Sequence, residues 1–371
     1  MPRAAIVTTS HFHASGQHGV YGGAERYGVE LTRWLRAIGW KVVWWQIGTG
    51  WTASFLDGVL VYSVPVRSSF VQTCADLNRA FHEQAGAVDL AIYFVTYLAY
   101  PQVFERSISI SHGIYWDYPF WENRIGGGEL RTEWLRRMEA ALSGPRKVVS
   151  VDTVTIAWAT ARWPHLAGRF VYIPNFVDVT RFHPAHRGRQ ESRNLRVLFP
   201  RRLTSVRGIA ESMHAAEVIT SRFPHVEFHF VGRSHAPDHE RHMLAWAARH
   251  ARIFYYWRPP SNMPMVYRNM DICLIPSKST EGTSLSCLEA MASGLAVVAG
   301  RVGGLGDLIT HEYNGLLVYP SAGRLVEAIE RLVVEEDLRL RLGERARASA
   351  MAFALSRWRR RWGDLVDTVM A

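Results

Sequence analysis

Two carboxylates eight positions apart, Glu281 and Glu289, stand in the stretch EGTSLSCLEAMASG. The apolar run Asp271-Ile-Cys-Leu-Ile-Pro276 leads into it, and a helical pattern follows. A strand, a turn of small residues and a helix start form a device that holds a phosphate or sugar at a helix N-terminus. Thr283 or Ser284 is placed to cap that helix. Glu289 falls among Leu, Cys, Ala and Met, where an acid buried alone is costly and ligand hydroxyls would satisfy it. The chemistry these residues suit is recognition of a hydroxyl-rich ligand; a solvated helix face is the plain alternative.

Other candidates follow the same strand–turn–helix plan. In Phe199-Pro-Arg-Arg-Leu-Thr-Ser-Val-Arg-Gly208, Arg202 and Arg207 project from a loop at a strand's end, and guanidinium forks suit phosphate oxygens. In Val20-Tyr-Gly-Gly-Ala-Glu-Arg-Tyr27, Gly22 and Gly23 let a ligand approach the backbone at a helix start. This is not GxGxxG, which disfavours a redox dinucleotide. His112, in Ser111-His-Gly113, ends a strand, although a lone His is usually structural. His11, His13 and His18 cluster without an acid or Cys at ligand spacing, so no metal is expected. Ile173-Pro-Asn-Phe-Val-Asp178 reads as a turn, and Val302-Gly-Gly-Leu-Gly306 as a second Gly-rich turn after a strand.

These loops need a scaffold. Strands are predicted at Ala4–Thr8, Lys41–Gln46, Val59–Val64, Leu90–Val95, Ser107–Ile110, Val148–Val151 and Phe170–Ile173. A second set is predicted at Leu195–Phe199, Val226–Val231, Arg252–Tyr256, Asp271–Ile275, Ala296–Ala299 and Leu316–Val318. Helices are predicted at Gly23–Ile38, Gly208–Ser221, His239–His250, Thr283–Ser293 and Ser356–Met370. Near-continuous apolar strands alternating with amphipathic helices imply parallel sheets covered on both faces. The 371 residues suit two such domains, joined through the turn-rich stretch Pro174–Asn194. Two doubly wound domains facing each other would form a cleft beyond their strand ends. The last helix places Trp358, Trp362, Leu365 and Val366 on one face for packing, while Arg357, Arg359, Arg360 and Arg361 would suit phosphate or lipid.

In order, these motifs resemble glycosyltransferase family 4, the retaining nucleotide-sugar transferases of the GT-B fold. The family's E-x7-E motif is Glu281–Glu289, its Arg-Leu-x-x-x-Lys-Gly motif is Arg202–Gly208, and its Ile-Pro-Asn-Gly-Val-Asp segment is Ile173–Asp178. The Gly-Gly turn and Asn314-Gly-Leu-Leu-Val318 also look like the family. The resemblance implies a fold of two Rossmann-like domains facing a central cleft, residues 1–170 for the acceptor and 171–355 for the nucleotide-sugar donor. The C-terminal helix, 356–371, would cross back to the first. Arg202 and Arg207 would clamp the diphosphate, Glu289 would hold the ribose, and Glu281 with the Gly282, Thr283 and Ser284 amides, beside Leu285, would hold the sugar. Gly22 and Gly23 would approach the phosphates, and His112 would contact the donor sugar. No cofactor and no metal is implied, and no DxD-like motif stands in a suitable place.

The chain departs from the pattern in four places. Arg207 replaces the usual Lys, Phe199-Pro200 stands where a Gly usually leads to the arginine, Thr283-Ser284 replaces Phe-Gly, and Phe176 replaces Gly. These bear on donor identity more than on activity. Another GT-B enzyme, such as a nucleotide-sugar 2-epimerase, is the alternative.

Composition narrows the partners. The net charge of +10 suits anionic lipid surfaces, nucleic acid or phosphorylated small substrates, or is simply a basic surface. No helix-turn-helix, RRM or zinc pattern supports nucleic acid. The resemblance implies as partners a nucleotide-sugar donor and a glycan, lipid-linked or small-molecule acceptor, and the charge adds peripheral contact with an anionic membrane. Three cysteines without a CxxC pair and an N-terminus without an apolar h-region suit the cytosol. The most apolar window, Leu90–Tyr100, is about half a membrane span. The aromatic run Ile114–Trp121 is assigned to the acceptor side, where its rings would either stack on sugars or simply pack.

Overall fold

The computed structural model describes residues 1–13, 16, 22–66, 70–114, 129–185, 194–234, 237–279 and 281–371. His18, Val20, Tyr21, residues 115–121 of the aromatic run and most of the HRGRQESRN stretch lie outside them. Contacts divide the chain into two compact units, Met1–Pro174 with Arg359–Ala371, and Asn175–Trp358.

The first unit runs β1 (Arg3–Val7), α1 (Gly23–Ala37), β2 (Lys41–Ile47), β3 (Thr52–Phe55), β4 (Val59–Val64), α2 (Phe70–Gln84), β5 (Leu90–Tyr93), β6 (Ser107–Ser111), α3 (Glu129–Ser143), β7 (Lys147–Ser150), α4 (Thr153–Arg162) and β8 (Phe170–Tyr172). Its sheet order is β3-β4-β2-β1-β5-β6-β7-β8. The pairings are parallel except that of β3 with β4. Ala4–Val7 of β1, all of β5, and Val148 and Val149 of β7 are apolar and buried, as in a sheet covered by helices on both faces. β3 is a departure from the predicted strands. It lies at the sheet edge with alternating exposure, so no apolar run announces it. Leu56, Asp57 and Gly58, with φ of 44, 55 and 99°, turn it into β4, and Asp57-Gly58 is the local hairpin signal.

The second unit runs β9 (Leu195–Phe199), α5 (Ile209–Arg222), β10 (Val226–Val231), α6 (Pro237–Ala247), β11 (Ile253–Tyr256), α7 (Met263–Arg268), β12 (Ile272–Ile275), α8 (Leu285–Ala292), β13 (Ala296–Gly300), β14 (Leu316–Val318), α9 (Ala322–Val334) and α10 (Glu336–Ala350). The sheet order β11-β10-β9-β12-β13-β14 is parallel throughout. One core packs Phe228, Phe230 and Trp246 with Ile219 and Ile329. The other packs Leu198, Cys273 and Val297 with Leu288, Met291 and Ala346.

A final helix, α11 (Leu355–Met370), begins in the second unit, and from Arg359 it belongs to the first. Its Trp358, Trp362, Leu365 and Val366 are buried and its Arg357, Arg359, Arg360 and Arg361 exposed, the split an amphipathic helix requires. Within the first unit the Trp362 indole donates to the Tyr27 hydroxyl at 2.9 Å. Arg359 donates to Glu30, and Arg146 donates to the Val369 carbonyl at 2.7 Å.

Candidate active site

In the second unit, the chain moves from β9 through β10 to β11 on one side, then returns to place β12 on the other side of β9. In an open parallel sheet this reversal leaves a crevice at the C-terminal ends of the two strands, where ligands bind. The loop after β9 carries Arg201, Arg202 and Arg207, and the loop after β12 carries Ser277, Glu281, Thr283 and Ser284.

These loops meet in a buried ionic cluster. Arg201 Nη2 donates to Glu281 Oε1 and Oε2 at 2.9 and 2.7 Å, and to Ser277 Oγ at 3.3 Å. Its Nη1 donates to Ser284 Oγ at 2.9 Å. Arg207 Nη1 reaches the same Glu281 Oε2 and lies 3.5 Å from Ser277 Oγ. Ser277 Oγ donates to Oε2 at 2.6 Å. The Arg201 and Glu281 side chains are 6% and 9% exposed, so the charges persist only because each is paired and hydrogen-bonded.

Glycines fix the backbone beneath them. A Cβ on Gly232, just past β10, would lie 2.0 Å from the Arg201 carbonyl oxygen. Gly208 has φ +76° and its Cβ would meet the Pro276 carbonyl at 2.3 Å. Gly303, with φ +49°, would meet the Glu281 carbonyl at 2.1 Å. The Gly304 N–H donates to that carbonyl at 2.7 Å. The turn Val302–Gly306 thus positions Glu281.

The expected cap is not made. Ser284 occupies the N-cap position of α8, but no side chain caps the helix; the Ser284 hydroxyl accepts from Arg201. The Thr283 hydroxyl instead accepts from the Asn175 N–H at 2.8 Å, and Asn175 Nδ2 donates to the Thr283 carbonyl. Gly282 and Leu285 are buried in the same turn, and Glu289 is 3% exposed inside α8. Arg202 is exposed beside its buried neighbour.

In the first unit the strand order reverses between β1 and β5. Gly22 is the N-cap of α1 and Gly23 its exposed first residue. A Cβ on Gly22 would lie 2.3 Å from Glu25 Oε2, so an anion approaching here meets a carboxylate. His112 follows β6 and is 9% exposed. Its Nε2 lies 3.0 Å from the Phe94 carbonyl oxygen. A carbonyl only accepts, so Nε2 carries the proton and Nδ1 is the acceptor. Burial lowers its pKa to about 4, the Phe94 contact opposing the shift, and the ring is neutral at neutral pH. Tyr27 and Phe94 meet the ring at 5.2 and 4.8 Å between centroids. His11 is likewise buried, stacked 4.7 Å from Trp44, and its pKa is also lowered to about 4.

Elsewhere, a groove of 610 Å³ lined by Glu217, Thr220, Arg249, His250 and Arg252 sits at the N-terminal end of β11, the opposite end of the sheet from the ionic cluster. Among the described residues no cluster of three or more His, Cys, Asp or Glu could hold a metal, and no helix is long and apolar enough to cross a membrane. Cys74, Cys273 and Cys287 are free and buried. Burial pushes the Cys74 and Cys287 thiols up to about 12, which leaves them protonated.

Sequence reasoning missed Arg201 and Asn175. Successive residues of an extended segment point to opposite sides, so one of Arg201 and Arg202 had to turn inward. That signal was present, but it does not say which one.

Residues 184–349 match the family described as Glycosyl transferases group 1. Over 200 residues the chain is 32% identical to the D-inositol 3-phosphate glycosyltransferase of Corynebacterium jeikeium, which takes in 49% of this chain and 48% of that protein. The alignments span 30%, 48% and 62% of three curated relatives, less than two thirds of each. Sucrose-phosphate synthase from Thermosynechococcus elongatus matches with a TM-score of 0.76 and 19% identity, over 100% of this chain and 99% of that one. HepE of Anabaena, in complex with UDP, matches with a TM-score of 0.74 and 17% identity, over 99% and 100%. The chain therefore carries a Glycosyl transferases group 1 domain and has the GT-B fold of glycosyltransferases.

Proposed function

We propose that this chain is a retaining, metal-independent glycosyltransferase that moves a sugar from a nucleoside-diphosphate sugar to a glycan, lipid-linked or small-molecule acceptor. Cell-surface polysaccharide or glycoconjugate synthesis is the setting this suits. The observation that carries the reading is the meeting of Arg207 and Glu281, 74 residues apart, at the second unit's switch point. The family match spans both, and HepE has been seen with UDP and with UDP-glucose.

Glycosyl transfer passes through an oxocarbenium-like state while negative charge builds on the departing diphosphate. Arg207, with Arg202 on the exposed side of the same loop, supplies fixed positive charge where that charge develops. The uncapped α8 N-terminus adds backbone N–H groups of the same sign. Glu281 accepts from the sugar hydroxyls and Glu289 from the ribose. Retention is assigned to a front-face path, in which the leaving phosphate takes the acceptor's proton, in preference to a covalent route through a carboxylate. The first unit is assigned the acceptor. A cytosolic enzyme touching the inner membrane face suits the net charge of +10 and the exposed arginines of α11.

The test is a thermal-shift and turnover screen of the purified chain against UDP, GDP, ADP, dTDP and CDP sugars. Stabilisation by one nucleotide series, with release of its nucleoside diphosphate, is expected. No stabilisation and no sugar release with any of the five would sink the assignment. Exchange of the sugar C2 hydrogen without acceptor would replace it with an epimerase.

A further inference from the structure

We propose that Arg201 is a positioning residue that fixes which oxygen of Glu281 is offered to the donor sugar. The proposal rests on the reading of Glu281 as the sugar-binding acid. Oε2 already receives three donors: Arg201 Nη2 at 2.7 Å, Ser277 Oγ at 2.6 Å and Arg207 Nη1. A carboxylate oxygen offers about two lone-pair sites, so Oε2 is full. Among the described residues Oε1 accepts only from Arg201, at 2.9 Å, and keeps room for a ligand hydroxyl.

The guanidinium does more than neutralise. Its second nitrogen holds Ser284 Oγ, so one planar group ties both ends of the turn Glu281-Gly-Thr-Ser284 at fixed spacing. A lysine cannot reproduce that fork. Gly232 approaches the Arg201 carbonyl closely, which fixes the backbone from which the side chain departs, and the bonds to Glu281 and Ser284 hold its guanidinium.

The test uses the full chain with Arg201→Met, Arg201→Lys, Glu281→Gln and the double variant Arg201→Met/Glu281→Gln. Calorimetry measures binding of UDP, GDP, ADP, dTDP and CDP, each free and as its glucose, mannose and N-acetylglucosamine derivatives. For the series that wild type binds, the expected result in Arg201→Met is free-diphosphate affinity within about threefold of wild type. The additional affinity conferred by the sugar should fall roughly 10–100-fold, the range of a hydrogen bond to a charged group. Glu281→Gln should lose the same sugar increment, the double variant should lose no more than Glu281→Gln alone, and Arg201→Lys should recover only part. Equal losses for diphosphate and sugar nucleotide would overturn the proposal by making Arg201 a phosphate ligand. Additive losses in the double variant would overturn it by making the residues independent. A lower melting temperature with unchanged sugar increment would reduce Arg201 to a structural ion pair and overturn it likewise. The double variant lacks both charges, so it answers the question even if Arg201→Met folds poorly. Wild type binding none of the ligands would overturn the donor-site reading and this proposal with it.

Discussion

Both units reverse their strand order beside their first strand, yet they fill the resulting position with opposite chemistry. In the first, the residues beyond the strands form an uncharged aromatic nest. His112 donates to the Phe94 carbonyl, Tyr27 meets its ring edge-on, and Trp362 donates to Tyr27. In the second, the same topology holds two guanidinium groups on one carboxylate. Burial acts on both. Without an ionic partner it drives His112 to its neutral form, whereas mutual pairing keeps Arg201, Arg207 and Glu281 together. The topology decides where side chains converge, and the partner supplied to each decides whether that place is neutral or charged.

The sharpest way to break the contrast is to remove the charge shared in the second unit. Glu281→Ala leaves Arg201 buried without its counter-ion and should destabilise the fold by about 3–5 kcal/mol, read by urea unfolding. An unchanged midpoint would mean the cluster is solvated. Arg207→Ala keeps the Arg201 pair and should lower transfer about 10²–10³-fold, the usual effect of removing one charge-stabilising donor, with a much smaller loss of stability. Turnover near wild type would remove Arg207 from the chemistry.

The neutral nest should answer to pH. Folded His112 titrates near 4 against 6.5 unfolded, so between those values the unfolded chain binds the extra proton. Its contribution is therefore complete above 6.5 and is lost as pH falls towards 4, by at most about 3 kcal/mol. His11 should add a similar loss in the same window. Unfolding curves of His112→Gln and His11→Gln should each be flatter over that range, and slopes equal to wild type would show the rings already charged. Tyr27→Phe leaves the Trp362 indole N–H without its 2.9 Å acceptor and should cost about 1–3 kcal/mol, measured as a shift in unfolding midpoint. The smallest effect expected is that of chelation. EDTA should leave transfer unchanged, and recovery by Mg²⁺ or Mn²⁺ after a loss would end the metal-free reading.

Much of the scaffold was legible because strands buried on both faces must be apolar throughout, as Leu90–Tyr93 and Ala296–Ala299 are. The edge strand Thr52–Phe55 was not, since a half-exposed edge needs no such run, although its Asp57-Gly58 turn carried the signal. Motif spacing brought Glu281, Thr283, Ser284 and Arg207 into view. It did not show which of two adjacent arginines turns inward, because that depends on the close approach of Gly232 from another strand. It also suggested a helix cap at Ser284, where a distant guanidinium competes for the hydroxyl. Local rules describe a side chain's nearest options, and tertiary partners such as Arg201 and Asn175 override them.

The division of α11 between the units bears on how the protein is made. Synthesis proceeds from the N-terminus, so residues 175–358 leave the ribosome before Trp362, which is wholly buried in the first unit. Until then the surfaces of Tyr27 and Trp34 that receive it stay wet, and the first unit waits, incompletely closed, while the second can finish. A released chain ending at Trp358 should therefore be cut by protease within residues 1–174 and resist cutting within 195–350.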